Sequence, residues 1–135
     1  MELKNLFSGA TLTLPDDLLW SDEHDWTPVV SSVSYLMTGA LLVQSATRQA
    51  GRAITLVGAA DMAWVTRATL EKLRLWAGVA LDPPSGSFTL TFKDARTFTV
   101  AFDHASGPIE AAPVLGYPSG HDGDFYHLLL RFLEI

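Results

Sequence analysis

Five carboxylates and a histidine crowd one short stretch of the chain: Asp16, Asp17, Asp22, Glu23, His24 and Asp25. Carboxylates at this density suit a hard cation. A calcium loop, however, alternates its ligands around a glycine, and this stretch has none. A solvated loop held down by Trp20 and Trp26 accounts for the same residues. A second cluster, His121-Asp122-Gly123-Asp124, pairs a histidine with two carboxylates, in a composition that loops also use for turns. Asp103-His104 offers a base and a carboxylate after an apolar strand. A general base needs an oriented partner, which spacing alone does not supply. Ser119 sits in Gly116-Tyr117-Pro118-Ser119-Gly120, which is not the G-x-S-x-G of a nucleophile elbow. The segment Ala59-Ala60-Asp61-Met62-Ala63-Trp64 lacks the glycines that cradle phosphate. None of these groups forms a complete catalytic set, so the chain reads as non-enzymatic, with no cofactor and no metal expected.

The totals point the same way. The 135 residues fit one domain with its own core. A net charge of −6, with nine Lys and Arg spread along the chain, disfavours a nucleic-acid binder. The absence of cysteine excludes disulfides and thiolate metal sites. No basic-then-apolar leader and no long apolar run is visible. The expectation is therefore a soluble protein made in a cytoplasm, without membrane binding.

The elements that would position these groups are mostly strands. Leu12 and Leu14 alternate with Thr11 and Thr13 as a short strand. Residues 16–28 follow neither period and read as a loop. From Val29 to Thr47 the pattern is β-like, with Val33, Tyr35 and Met37 on one face and a bulge or bend expected at Gly39. Ile54, Leu56 and Gly58 give a third strand. One helix is expected over about 66–78. Thr66 caps it, Leu70, Leu73, Trp76 and Ala77 form its apolar stripe, and Gly78 ends it. Phe88, Leu90 and Phe92 then alternate with threonines, as do Phe98, Val100 and Phe102, which makes a hairpin. Opposing Phe92 to Phe98 leaves Asp94-Ala95-Arg96 as its loop, where a left-handed residue is wanted and Ala95 stands instead of glycine. Ile109–Val114 reads as an edge strand because of Pro113. Asp124–Ile135 reads as a long final strand, apolar on one face and half apolar on the other, either central or at a subunit contact. The fold class is mainly β (α+β): an antiparallel sandwich or small barrel with one flanking helix.

With the elements in this order, the chain resembles the small tail proteins of long-tailed bacteriophages and prophages. The likeness is carried by LPDDLLWSDEHDWTPV (14–29), GRAITLVG (51–58), AWVTRATLEKL (63–73) and FTLTFKDARTFTVAF (88–102). It is greatest to minor tail proteins of the distal tail type. The resemblance implies a single tail-tube-like domain over 1–135, with 1–28 as an N-terminal arm and no separate carbohydrate-binding-like domain. It implies a structural virion protein in a ring of about six copies. Such a ring joins tail tube to hub and surrounds a channel that DNA crosses without specific binding. Acidic side chains would be expected to line that channel.

Under this reading the working residues are interface residues. Trp20 and Trp26 would anchor the arm. Glu71, Lys72 and Arg74 would present the polar helix face, and Lys93, Asp94 and Arg96 the hairpin tip. Phe125, Leu129 and Leu133 would present the outer face of the last strand. For both tryptophans, burial within their own subunit stands as the alternative. Two other functions fit the residues: a monomeric β-barrel around a small apolar ligand, and a small hydrolase using His104 or His121.

Overall fold

The computed structural model describes residues 1–117 and 119–135. In chain order the elements are β1 (Glu2–Asn5), β2 (Thr11–Thr13), β3 (Leu19–Trp20), β4 (Val29–Tyr35), β5 (Leu41–Thr47), β6 (Ala53–Val57) and β7 (Val65–Thr66). They continue with α1 (Arg67–Ala77), β8 (Phe88–Thr91), β9 (Thr97–Phe102), β10 (Ile109–Pro113) and β11 (Phe125–Glu134). All strand pairs are antiparallel. The fold is mainly β with one flanking helix, as expected from the period-two patterning and the single helical stripe.

The main sheet runs β2-β1-β8-β9-β11-β6-β3. β11 is its hub. It pairs with β6 and β7 along one edge and with β9 and then β10 along the other. Its alternate residues Leu128, Leu130 and Phe132 are buried to within 1% because neighbours flank them on both sides. The final strand is therefore central, one of the two placements its sequence left open. The sheet curls enough for β3 at one end to reach past β9 to β8: Trp20 on β3 stacks on Phe92, just beyond β8, with ring centroids 5.0 Å apart. Leu3, Ile54, Leu56, Leu73, Phe88, Leu90 and Val100 fill the interior.

The helix forms where its caps require. The Thr66 hydroxyl accepts from the Thr69 amide at 3.4 Å, and the Gly78 amide closes the last turn on Arg74 O. Leu70, Leu73, Trp76 and Ala77 are its buried stripe. Trp76 stacks on Phe88 at 5.6 Å, which fixes helix to sheet.

Three expectations are corrected. Residues 16–28 are not all loop, because Leu19 and Trp20 pair with Val57 and Leu56 as an edge strand. The β8–β9 register is Leu90 to Phe98 and Thr91 to Thr97, two residues from the pairing expected. The Phe92 amide donates to Arg96 O at 2.9 Å, so the loop is Lys93-Asp94-Ala95 and Ala95 takes φ 69°. A slip of two keeps every aromatic on its face, so hydrophobic pattern alone could not separate the two registers. The third correction is the largest. Residues 29–47 form a hairpin of their own, with Leu36–Ala40 as the turn and Gly39 at φ 81°. Met37 lies in that turn and not on a strand face.

Candidate functional site

The acidic stretch is stitched to the body through almost every side chain. The N-terminal amine of Met1 pairs with Asp16. Asp17 Oδ2 accepts from the Ala63 amide at 2.9 Å. Asp22 accepts from both the amide (2.9 Å) and the hydroxyl (3.0 Å) of Thr55. Glu23 Oε1 meets Arg96 Nη1 at 2.7 Å. These carboxylates are turned toward different backbone and cationic partners, not toward a common point where a cation would sit.

The two tryptophans close the same seam. Trp20 is 7% exposed, and Arg52 lies 4.5 Å over its ring and 5.3 Å from that of Trp26. Arg96 covers the Trp20 and Phe92 rings at 5.4 and 5.5 Å. Trp20 is thus packed within its own subunit, the alternative its sequence left open, and Trp26 is half-buried beside it. The physical reason is the pair of guanidiniums, which let indole and phenyl faces pack in one cation–π stack.

The remaining expected contacts lie on three separate surfaces. Lys93, Asp94 and Arg96 are exposed at the β8–β9 tip, where Arg96 Nε meets Asp94 Oδ2 at 2.7 Å. The Arg96 amide and guanidinium hold the Asp94 carboxyl below its usual range. Glu71, Lys72 and Arg74 are exposed on α1. Glu71 and Arg74 also line a groove of about 410 Å³ with Leu70, Ile109, Ala111 and Tyr126. On β11, Phe125 is 50% exposed and tilts against Trp64 at 5.6 Å. Leu129 and Leu133 are half-buried, and Leu129 stands in one row with Val57 and exposed Leu19.

The groups considered for catalysis hold backbone instead. His104 Nε2 donates to Ala77 O at 2.6 Å, at the last turn of α1, where a donor complements the free carbonyls. His121 Nδ1 accepts from the Gly123 amide at 2.9 Å. The Asp124 carboxylate accepts from the Ser119 hydroxyl (2.8 Å) and from the Gly120 and His121 amides (2.9 and 3.1 Å). The Ser119 bond, with burial opposing it, is the main reason its pKa lies below the ordinary carboxylate value.

The surface that sequence reasoning missed is the β4–β5 hairpin. Every residue from Thr27 to Gly51 is exposed. Apolar side chains stand on both of its faces: Val33 59%, Tyr35 77%, Leu41 53% and Val43 55% on one, Val30 49% and Leu42 37% on the other. From Thr27 to Thr47 no residue carries a charge, in a chain whose net charge is −6. The β-like pattern alone does not separate a core strand from an uncovered one. The signal that separates the two cases is the interleaving of serine on both faces, at Ser31, Ser32, Ser34 and Ser45. A strand buried on both sides has no place for so many hydroxyls.

No protein-family model matches the chain, and no curated protein or solved structure matches it either.

Proposed function

We propose that this protein is a structural subunit that assembles with copies of itself through the β4–β5 hairpin, and that the assembly is a ring at the distal end of a phage tail tube. The observation that carries the first half is the hairpin. A two-stranded sheet alone is marginal in water, and an apolar, uncharged one with both edges open invites another chain. Its 25 exposed residues, 27 through 51, match the roughly 20–30 residues a side of a standard interface. The second half rests on the resemblance of residues 14–29, 51–58, 63–73 and 88–102 to distal tail proteins. In that setting a ring of about six copies contacts tube on one side and hub on the other, and the genome passes through its channel. The protein's place is then the virion. Among the described residues no helix is long and apolar enough to cross a membrane.

The filled interior favours this reading over a ligand-holding barrel, because ten side chains from Leu3 to Phe132 occupy the space a ligand would need. Sedimentation with negative-stain imaging, alone and with tail-tube subunits, tests the proposal. Closed rings, or capping of tubes, are expected. A protein that stays monomeric in both conditions overturns it.

A further inference from the structure

The body carries a strand edge able to receive a partner strand. Among the described residues β10 is bonded along one side only, to β11. Arg131 N donates to Pro108 O at 2.9 Å and Val114 N to Phe125 O at 3.1 Å. In an antiparallel ladder bonded residues alternate, so residues 108, 110, 112 and 114 turn their backbone groups toward β11. Ile109 and Ala111 therefore turn both N–H and C=O outward, and Pro113 adds a carbonyl. Ala111 is exposed, and open grooves flank this edge on both faces.

The hairpin has the complementary property. Leu36 N donates to Ala40 O and Arg48 N to Pro28 O, both at 2.8 Å, which sets the alternation for β4 and β5. The backbone groups left free on its two outer edges belong to Val29, Ser31, Val33 and Tyr35, and to Leu41, Val43, Ser45 and Thr47. These residues also form one face of the hairpin, the face bearing Val33, Tyr35, Leu41 and Val43. Antiparallel addition to β10 places residues opposite Ile109 and Ala111 on the same side as those two. That side is the groove lined by Leu70, Ile109 and Tyr126 together with Arg67, Glu71 and Arg74.

We infer that the β4–β5 hairpin of one copy adds as an antiparallel strand to the β10 edge of the next, a continuous sheet across the subunit boundary. This rests on the reading of the chain as a self-assembling subunit and specifies where the copies meet. A second copy is the occupant because its hairpin alone matches three properties at once. It is uncharged, so it approaches a net-negative neighbour without repulsion. Its free edge falls on its more apolar face, and its length suits a strand edge of five residues. Main-chain bonds supply affinity, and side chains entering the two grooves supply register. Edge and hairpin are different surfaces, so the contact is heterologous and propagates head to tail until it closes.

Ala111→Pro removes an outward N–H and leaves the bonds to β11 intact. Val33→Pro with Val43→Pro does the same to both hairpin edges. Sedimentation velocity should show each variant associating at least about tenfold more weakly than wild type. An equimolar mixture of the two retains one working edge and one working hairpin, and should form a one-to-one dimer and nothing larger. Ala111→Arg, which keeps the backbone donor but sets a cation beside Arg67 and Arg74, replaces the proline variant if circular dichroism shows that one unfolded. Wild-type rings together with undiminished assembly of the Ala111 variants overturn the edge pairing and leave the ring reading standing. A mixture that stays monomeric also overturns the edge pairing. A wild type that stays monomeric at all concentrations overturns both.

Discussion

The guanidinium of Arg52 lies 4.5 Å over the indole of Trp20 and donates through Nη2 to Glu23 O at 2.8 Å. One side chain thus joins β6 to two points of the acidic segment. The segment is held by a planar cation between aromatic faces, which lysine cannot reproduce. Arg52→Lys should cost about 1–3 kcal/mol in urea denaturation of the isolated subunit. Trp20→Ala should cost about 3–5 kcal/mol there, as for other buried aromatics. If Trp20 acted mainly on a partner, its removal would leave the isolated subunit's midpoint unmoved.

Ala95 holds φ 69° at the end of the β8–β9 loop. A left-handed alanine costs about 1–2 kcal/mol, and glycine in its place loses about 0.5–1 kcal/mol of unfolded-chain entropy. Ala95→Gly should therefore stabilise the protein by roughly 0.5–1 kcal/mol. The thermal midpoint of the monomer reads this directly, and a lowered midpoint refutes it.

The same loop shows what the sequence could and could not reveal. The need for a left-handed residue at Ala95 was legible from loop chemistry. The register was not, because Phe88, Leu90 and Phe92 keep their face under a shift of two. The helix was legible because cap, stripe and stop agree at Thr66, Leu70 and Gly78. β1 was missed because Leu3 is its one apolar residue, and β3 because two residues cannot display a period. Trp20 went inside because Arg52 and Arg96, distant in sequence, converge on it. That the 29–47 hairpin stands uncovered was not legible, because periodicity reports which residues share a face and is silent on whether anything covers that face.

Acid should loosen the loops before the core. Asp124 and Asp94 both have lowered pKa values, the first chiefly through Ser119 and the second chiefly through the Arg96 amide; for Asp16 the N-terminal amine does the same. A depressed folded pKa means the ionised form is the one stabilised. The contribution is then complete above the unfolded value of about 3.9 and is lost as pH falls through the lower folded value. All three carboxyls are solvent-exposed, so the effect on global stability is small. The carboxyl carbon shift of Asp124, the group that bonds the Gly120 and His121 amides, should titrate with a midpoint below the ordinary aspartate value of about 3.9 when followed by NMR. A midpoint above the ordinary aspartate value contradicts the bonding described. Asp124→Asn should speed exchange at both amides at neutral pH.

The hairpin contributes nothing to the interior, since none of the core residues lies between Trp20 and Ile54. Pro28 and Arg48 form a bonded pair at its base, the geometry from which a two-residue turn can spring. Replacing residues 29–47 by Asn-Gly should therefore leave a folded body whose thermal midpoint lies within about 4 °C of the parent, a change of about 1 kcal/mol or less. The same protein should be more soluble, because a contiguous uncharged apolar surface is gone. It should form no rings and should not pair with another hairpin-deleted copy, while its β10 edge still accepts a hairpin from intact protein. Circular dichroism reads the first outcome and sedimentation of the mixture the last. A body that unfolds on excision would show that the hairpin belongs to the fold and not to the assembly.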